Sequence, residues 1–530
     1  FRSKPAARLN WYLGQYHARE FELKVQTADN SSWHYMNENQ TFTMTSVFKW
    51  DYIELPKDTM SIQLTCLSDQ ASIMELALTD DTGTGLMPIN APDYHELMDE
   101  SDLLPESISF RNGTYFDEVY HARTAYEFLN GLTTYETTHP PLGKIIISIG
   151  ISLFGMTPFG WRIMGTLLGI LMLPLIYMMG RGISKDRMLA GFACLLFAVD
   201  FMHFTQSRIA TIDVYITFFI ILMYYLMYRY CKLSFYDTPL KKTFLPLGAC
   251  GIAMGLGIAS KWTGVYAGAG LAILFFCALY RRFREYQFAR TNPEGDSNGI
   301  SHEKIITSFI PNVRNTILFC MVFFVAIPAV IYLLSYLPFR GYQNGLFSKM
   351  WENQKLMLSY HSSLTAEHIY SSRWYEWPTM IRPMFYYSGY ISDTLRQGIS
   401  AFGNPLVWWA GIPAFFYMIY LGIKKRDRTA IVLCISYLSQ YLPWCLVSRT
   451  IFIYHYFTSV PFVVLMIMYS AVQLKQHMKP KRFYMALGLY AAAATGLFLL
   501  FYPVLSGQTV STSYVANFLR WMDSWVLVYG

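Results

Sequence analysis

Thr316-Ile317-Leu318-Phe319-Cys320-Met321-Val322-Phe323-Phe324-Val325-Ala326-Ile327-Pro328-Ala329-Val330-Ile331-Tyr332-Leu333-Leu334 carries no charge, and none intervenes between Arg314 and Arg340. About 20 helical residues at ~1.5 Å each cross the roughly 30 Å hydrocarbon core of a bilayer. The stretch therefore reads as a membrane span over 314–337. Nine further runs share its length and character: 156–180, 187–206, 209–230, 243–259, 262–280, 403–423, 429–447, 452–474 and 483–504. The segment 141–154 is shorter and reads as an amphipathic helix lying along the interface. Composition agrees, with 53% apolar and only 15% charged residues, where soluble domains carry about 25% charge.

The connections between these runs alternate in charge. One set is basic: Arg181, Lys185 and Arg187; Arg229, Lys232, Lys241 and Lys242; Arg281, Arg282 and Arg284; Lys424, Lys425, Arg426 and Arg428; Lys475, Lys479, Lys481 and Arg482. The intervening turns hold single cations, Arg208, Lys261 and Arg449. The positive-inside rule places the basic set in the cytoplasm. Residues 1–140, the loop 338–402 and the C-terminus then lie outside, and Trp161, Trp262, Trp408, Trp409 and Trp444 fall near outer span ends, as interfacial tryptophans do. The net charge of +7 follows from this asymmetry and calls for no nucleic-acid partner. An exported N-terminal region needs an exporting segment, so the expectation is an eleventh span upstream of Phe1. The eight cysteines form no CxxC pair, and seven of them lie in or beside apolar runs. They read as small buried hydrophobes rather than as disulfide, metal or redox groups.

The first 110 residues differ. Alternating runs such as Phe21-Glu22-Leu23-Lys24-Val25 and Ser61-Ile62-Gln63-Leu64-Thr65 are separated by turn-rich segments including Asp29-Asn30-Ser31-Ser32 and Asp80-Asp81-Thr82-Gly83. They predict a small water-soluble β-sandwich. The whole divides into an external β domain (1–105), an external loop with interfacial helices (106–155), a six-span core (156–337), an external loop (338–402) and a four-span C-terminal region (403–530).

Chemistry has few places to reside. Ahead of the first span come Tyr115-Phe116-Asp117-Glu118-Val119-Tyr120-His121-Ala122-Arg123 and Thr137-Thr138-His139-Pro140-Pro141-Leu142-Gly143-Lys144. Adjacent carboxylates at a membrane surface can deprotonate a hydroxyl and orient a second ligand, although the pair taken alone reads more readily as a solvated acidic turn. Arg162, Arg208, Lys261 and Arg449 stand at outer span ends, with Asp213 and His455 just inside theirs. Any one cation there can snorkel to the interface. Four converging on one leaflet suit a lipid phosphate, for which arginine is shaped to make bidentate contacts. The loop Glu367-His368-Ile369-Tyr370-Ser371-Ser372-Arg373-Trp374-Tyr375-Glu376-Trp377-Pro378 offers His368 and Trp377 either to a sugar or peptide or to a membrane-surface aromatic cluster.

From Phe116 to Lys144, with its Asp-Glu pair and His-Pro-Pro-Leu-Gly-Lys, the chain resembles the protein O-mannosyltransferases, family 39 glycosyltransferases of the GT-C class. The likeness continues through Trp161-Arg162, Ser207-Arg208 to Asp213, Lys261-Trp262-Thr263-Gly264, Ser371 to Pro378, and Arg449 to Pro461 with Tyr454-His455-Tyr456. It spans roughly residues 111–505 in order. It is nearest to bacterial phospholipid-carrier-dependent members, which carry a discoidin-like, galactose-binding-like β domain before the Asp-Glu loop; Val47-Phe48-Lys49-Trp50 and Glu75-Leu76-Ala77-Leu78 look like parts of an incomplete one. The loop 338–402 is too short for the β-trefoil domain of eukaryotic members. The resemblance implies an inverting transfer of a mannosyl or other hexosyl group from a polyprenyl-phosphate lipid to Ser/Thr hydroxyls of exported proteins, on the outer face of the cell membrane. It implies Asp117 as base, Glu118 as its acceptor-side partner, and Arg162, Arg208, Lys261 and Arg449 on the donor phosphate. His139, Lys144, Asp213, His368, Trp377 and His455 are further candidates. No cofactor and no metal are expected, and the partners are the lipid-linked donor, an acceptor protein or glycan, and membrane lipid. A cell-wall polymer or lipid acceptor would use the same donor chemistry. A transporter or an external sugar receptor is the reading from another class, but no inverted repeat is evident.

Overall fold

The structure, a computed structural model, describes residues 4–14, 19–36, 40–44, 46–68, 71–297, 299–341, 345–364 and 368–528. Glu367 lies outside the described residues.

Seven N-terminal strands form one antiparallel sheet in the order β3-β2-β5-β1-β6-β7, with β4 paired to β2. The strands are β1 (Ala6–Leu13), β2 (Arg19–Thr27), β3 (His34–Tyr35), β4 (Thr41–Met44), β5 (Trp50–Cys66), β6 (Ile73–Thr79) and β7 (Gly85–Leu86). The long strand β5 pairs with β1 through its first half and with β2 through its second. Asp58 lies between the two halves with φ +60°. Two separate layers were expected; here the strands stay hydrogen-bonded as one sheet that folds over at β5. Trp11 on β1 thereby meets Phe42 on β4 at 5.8 Å between ring centroids. Leu9, Leu13, Phe21, Leu23 and Val25, the alternate positions of β1 and β2, fill the enclosed core.

Among the described residues, nine helices are long and apolar enough to cross a membrane: Pro158–Ser184, Asp213–Cys231, Leu240–Ser260, Gly264–Thr291, His302–Leu334, Pro405–Lys424, Arg428–Leu446, Ile453–Lys475 and Pro480–Ser506. Of the ten expected spans, 187–206 is not continuous. It breaks into Arg187–Ala198 and Phe201–Gln206. The cause is Asp200. One carboxylate oxygen caps the second piece through the His203 amide (3.2 Å), and the other accepts from the Asn404 amide (3.1 Å) and the Trp408 indole (3.0 Å). A carboxylate fully removed from solvent requires such donors, and satisfying them turns the chain.

Helix starts follow the local sequence. Thr157 caps Pro158–Ser184 with proline at its first position, Asn404 does the same for Pro405–Lys424, and Asp427 caps Arg428–Tyr441. The span His302–Leu334 contains a π-turn at Val322–Ala326, just ahead of Pro328. Proline cannot donate to the preceding turn and crowds its carbonyl, so the ladder widens there. Helix Leu240–Ser260 lies close against this turn, because a Cβ on Gly251 would sit 2.1 Å from the Phe323 carbonyl oxygen.

Candidate active site

Tyr115 to Asn130 sets the geometry. Phe116 adopts φ +50°, a left-handed conformation that costs a non-glycine residue energy. Its ring stacks on Tyr386 at 4.3 Å between centroids, and Asp117 follows at the N-terminus of helix Glu118–Asn130. Glu118 is completely buried. It accepts Arg162 Nε and Nη2, each at 2.7 Å, the Ala210 amide at 3.0 Å and the Tyr115 amide at 3.2 Å. The fork-on-fork pair ties three separate segments together. Glu118, expected beside the acceptor, and Arg162, expected on the phosphate, are here paired with each other.

Asp117 belongs to a different group. Burial, then the nearby Asp213 carboxylate, raises the Asp117 carboxyl to about 7, with Lys261 acting in the opposite direction. Lys261 Nζ donates to Asp213 Oδ1 at 2.7 Å and lies 5.9 Å from the centre of the Tyr454 ring. Behind them, the fully buried Lys144 donates to the Glu136 and His139 carbonyls, each at 3.0 Å, and to the Glu136 carboxylate. Glu136 also accepts the Thr138 amide at 2.8 Å and contacts His139 Nδ1 at 3.1 Å. Burial alone would raise the Glu136 carboxyl, but Lys144 and His139 hold it well below the ordinary range. The His139 ring lies 6.0 Å from His121 and 5.7 Å from His361. Burial lowers both His121, to about 3, and His139, with the Glu136 carboxylate acting in the opposite direction on each.

The four outer cations separate. Lys261 and Arg449 line one cavity of about 280 Å³ with His139, His361 and Trp444. Arg449 donates to the Thr450 carbonyl at 3.4 Å and has no carboxylate within ion-pair distance among the described residues. This cavity shares Trp262 and Tyr266 with an apolar groove of about 790 Å³ between Ile258, Pro328, Leu333 and Phe347. Arg162 and Arg208 instead border another cleft with Arg111 and Tyr502. Arg208 is held there by the Leu505 and Ser506 carbonyls (3.1 and 3.2 Å), which end helix Pro480–Ser506. Trp377 is fully buried, with its indole on Ser372 Oγ, and His455 lies between Trp377 and Trp444; both belong to the aromatic core rather than to an open platform. His368 is exposed, and its Nδ1 accepts from the Tyr370 amide. Glu136, His361 and Tyr454 went unselected from sequence. A lone acid three residues before His139 was the available signal for Glu136; nothing local marks His361. Among the described residues, no cluster of three His, Cys, Asp or Glu side chains has metal-holding geometry.

Comparison with known proteins identifies the family and the fold. Residues 155–342 match the family described as dolichyl-phosphate-mannose-protein mannosyltransferase, and residues 346–525 match the C-terminal four-transmembrane region of protein O-mannosyltransferase. The polyprenol-phosphate-mannose–protein mannosyltransferase of Mycobacterium tuberculosis is 25% identical over 473 residues, 77% of this chain and 86% of that protein. Its namesake in Corynebacterium glutamicum is 24% identical over 441 residues, 73% of this chain and 81% of that protein. In fold, the chain is similar to the Saccharomyces cerevisiae protein O-mannosyltransferase Pmt1-Pmt2 complex bound to the sugar donor. That match has a TM-score of 0.64 at 14% identity and covers 78% of this chain and 89% of that one. The helical membrane architecture is accordingly of the GT-C type, and with family matches running from residue 155 to residue 525, the chain belongs to the protein O-mannosyltransferase family.

Proposed function

We propose that this protein transfers a hexosyl group, mannose foremost, from a polyprenyl-phosphate sugar to Ser or Thr hydroxyls of polypeptides, on the extracytoplasmic face of the cell membrane. One observation carries the reading. Asp117 shares its site with Lys261, whose cavity also holds Arg449 and adjoins an apolar groove between helices. A lipid phosphate needs cations at its head, apolar surface along its tail, and a carboxylate on the far side of the sugar.

The chemistry follows. Asp117 takes the proton of the acceptor hydroxyl, and the oxygen forms a bond to the anomeric carbon. The bond from that carbon to the phosphate oxygen breaks, and its electron pair leaves with the lipid phosphate. Attack from the face opposite the leaving group inverts the anomeric centre. Lys261 and Arg449 stabilise the charge that grows on the phosphate, so no acid is needed for the leaving group. A carboxyl poised near 7 suits general-base work at neutral pH. Glu118 and Arg162 hold the loop that presents Asp117, and Asp213 fixes Lys261.

The positive-inside pattern supports the external placement of this site. The discoidin-like reading of the N-terminal domain is supported by the enclosed antiparallel sheet and by its seat on the catalytic loop, where Phe48 meets Tyr126 and the Thr114 hydroxyl donates to the Val47 carbonyl. The test is product analysis in nanodiscs with radiolabelled polyprenyl-phosphate-mannose and a Thr-containing polypeptide. Mannosylated polypeptide is expected from wild type, with far less from Lys261→Ala. Unchanged transfer by Lys261→Ala would remove the assigned phosphate site.

A further inference from the structure

The strand Met384–Tyr390 is the outer strand of a three-stranded sheet, paired on one side with Leu395–Ala401. Among the described residues, no other backbone hydrogen bond reaches its opposite edge. Tyr386 to Ile391 line one side of a cleft of about 410 Å³ together with Gln397 of the paired strand, and Phe110, Tyr115, Phe116 and Lys49 line the rest of it. Tyr387 bridges the walls, its ring 5.1 Å from Phe110 and 6.0 Å from Tyr115. The stacked rings of Phe116 and Tyr386 are among the cleft's lining residues, and Asp117 follows Phe116 in the chain.

Resting on the reading that Asp117 serves a hydroxyl of a polypeptide, we propose that the acceptor binds here as an added strand, main chain to main chain along Met384–Tyr390. A row of unpaired amide and carbonyl groups is a template for another extended chain, giving affinity without regard to side-chain identity. A cleft of this volume takes a few residues in extended form. The aromatic rings supply apolar contact of low entropy cost, and Phe116, held in its left-handed conformation, hands the chain from the cleft to the carboxylate. The cleft shares none of its lining residues with the Lys261–Arg449 cavity, which leaves that cavity to the donor. The surface demands an unfolded or loop segment able to extend, and it excludes proline from positions that must donate to the edge.

The experiment uses full-length protein in nanodiscs with polyprenyl-phosphate-mannose and a proline-free Thr-containing decapeptide. It is compared with a series in which one backbone amide at a time is N-methylated. Methylation at alternate positions beside the threonine should raise the peptide KM about tenfold or more, the loss expected when a main-chain bond of ~1.4 kcal/mol is removed. The intervening positions should change little, with the donor KM constant throughout. Tyr390→Ala, on the cleft rim, should raise the peptide KM while the donor KM stays constant. A flat methylation series on a peptide that is still mannosylated overturns strand addition while leaving the sugar-transfer reading intact. Sugar transfer confined to lipid or glycan acceptors overturns the peptide site. No turnover of donor with any acceptor, water included, overturns both.

Discussion

Asp117 and Glu118 are neighbours in sequence, and the fold gives them unlike tasks. Asn at position 117 keeps the shape and removes the base, so single-turnover transfer should fall by roughly two to four orders of magnitude, with donor binding retained. Because the Asp117 carboxyl sits at about 7, wild-type kcat/KM should rise through neutral pH and level off above it, a limb that Asp117→Asn loses. Stability has the opposite slope. The folded chain keeps this proton to about pH 7, whereas the ordinary value is 3.8, so the folded state binds more protons in that window and loses stability as pH rises through it. Asp117→Asn should therefore melt above wild type at pH 8 and level with it at pH 4, measured by thermal scans in detergent. Glu118 answers differently. Glu118→Gln strands Arg162 without a counter-charge at a cost of about 3–5 kcal/mol. Adding Arg162→Met should recover part of the lost melting temperature, and a double-mutant cycle measures the coupling.

At the scale of elements, the apolar groove depends on how closely helix Leu240–Ser260 approaches the π-turn of His302–Leu334. Gly251 permits it, and neighbouring Gly255 faces Pro328, a groove residue, with its Cβ position 2.9 Å from the Pro328 Cα. Gly251→Val should force the helices apart at a cost of about 1–3 kcal/mol and weaken donor binding, read as a raised donor KM. Gly191→Ala, whose Cβ would meet nothing within 4 Å, should leave both stability and KM almost unchanged. The broken span shows the same logic from the polar side. Residues 187–206 are apolar enough to resemble a single helix, and only the three donors brought by His203, Asn404 and Trp408 explain why Asp200 interrupts it.

For the whole molecule, the alternation of basic connections predicts that those carrying Arg181, Arg229, Arg281, Lys424 and Lys475 face the cytoplasm. Single cysteines at Glu294 and Ser359, both exposed, test this in intact cells once the exposed Cys66, Cys277 and Cys445 are replaced. The Ser359→Cys label should react from outside, and the Glu294→Cys label only after permeabilisation; the reverse pattern would invert the protein and remove its proposed site from the exported polypeptides.

Sequence alone determined the membrane class, nearly all of the apolar helices and the ordered motifs of the family, since hydropathy, charge asymmetry and capping are properties of a few adjacent residues. Lys261 and Arg449 stand out in sequence as isolated charges at span ends, and Asp117 only as half of an adjacent acidic pair in a loop. Tertiary structure decided who meets whom. Glu118 finds Arg162 across 44 positions and Lys261 finds Asp213 across 48. The set of four outer cations thereby divides into one arginine neutralised by a buried carboxylate, one holding the end of a helix, and two bordering a common cavity with His139 and His361. His361 joins His139 only because a helix more than two hundred residues further along the chain donates to the Thr138 carbonyl. A charge in sequence has no address until burial removes its water, and the partner that replaces that water is supplied by whichever segment the packing brings near.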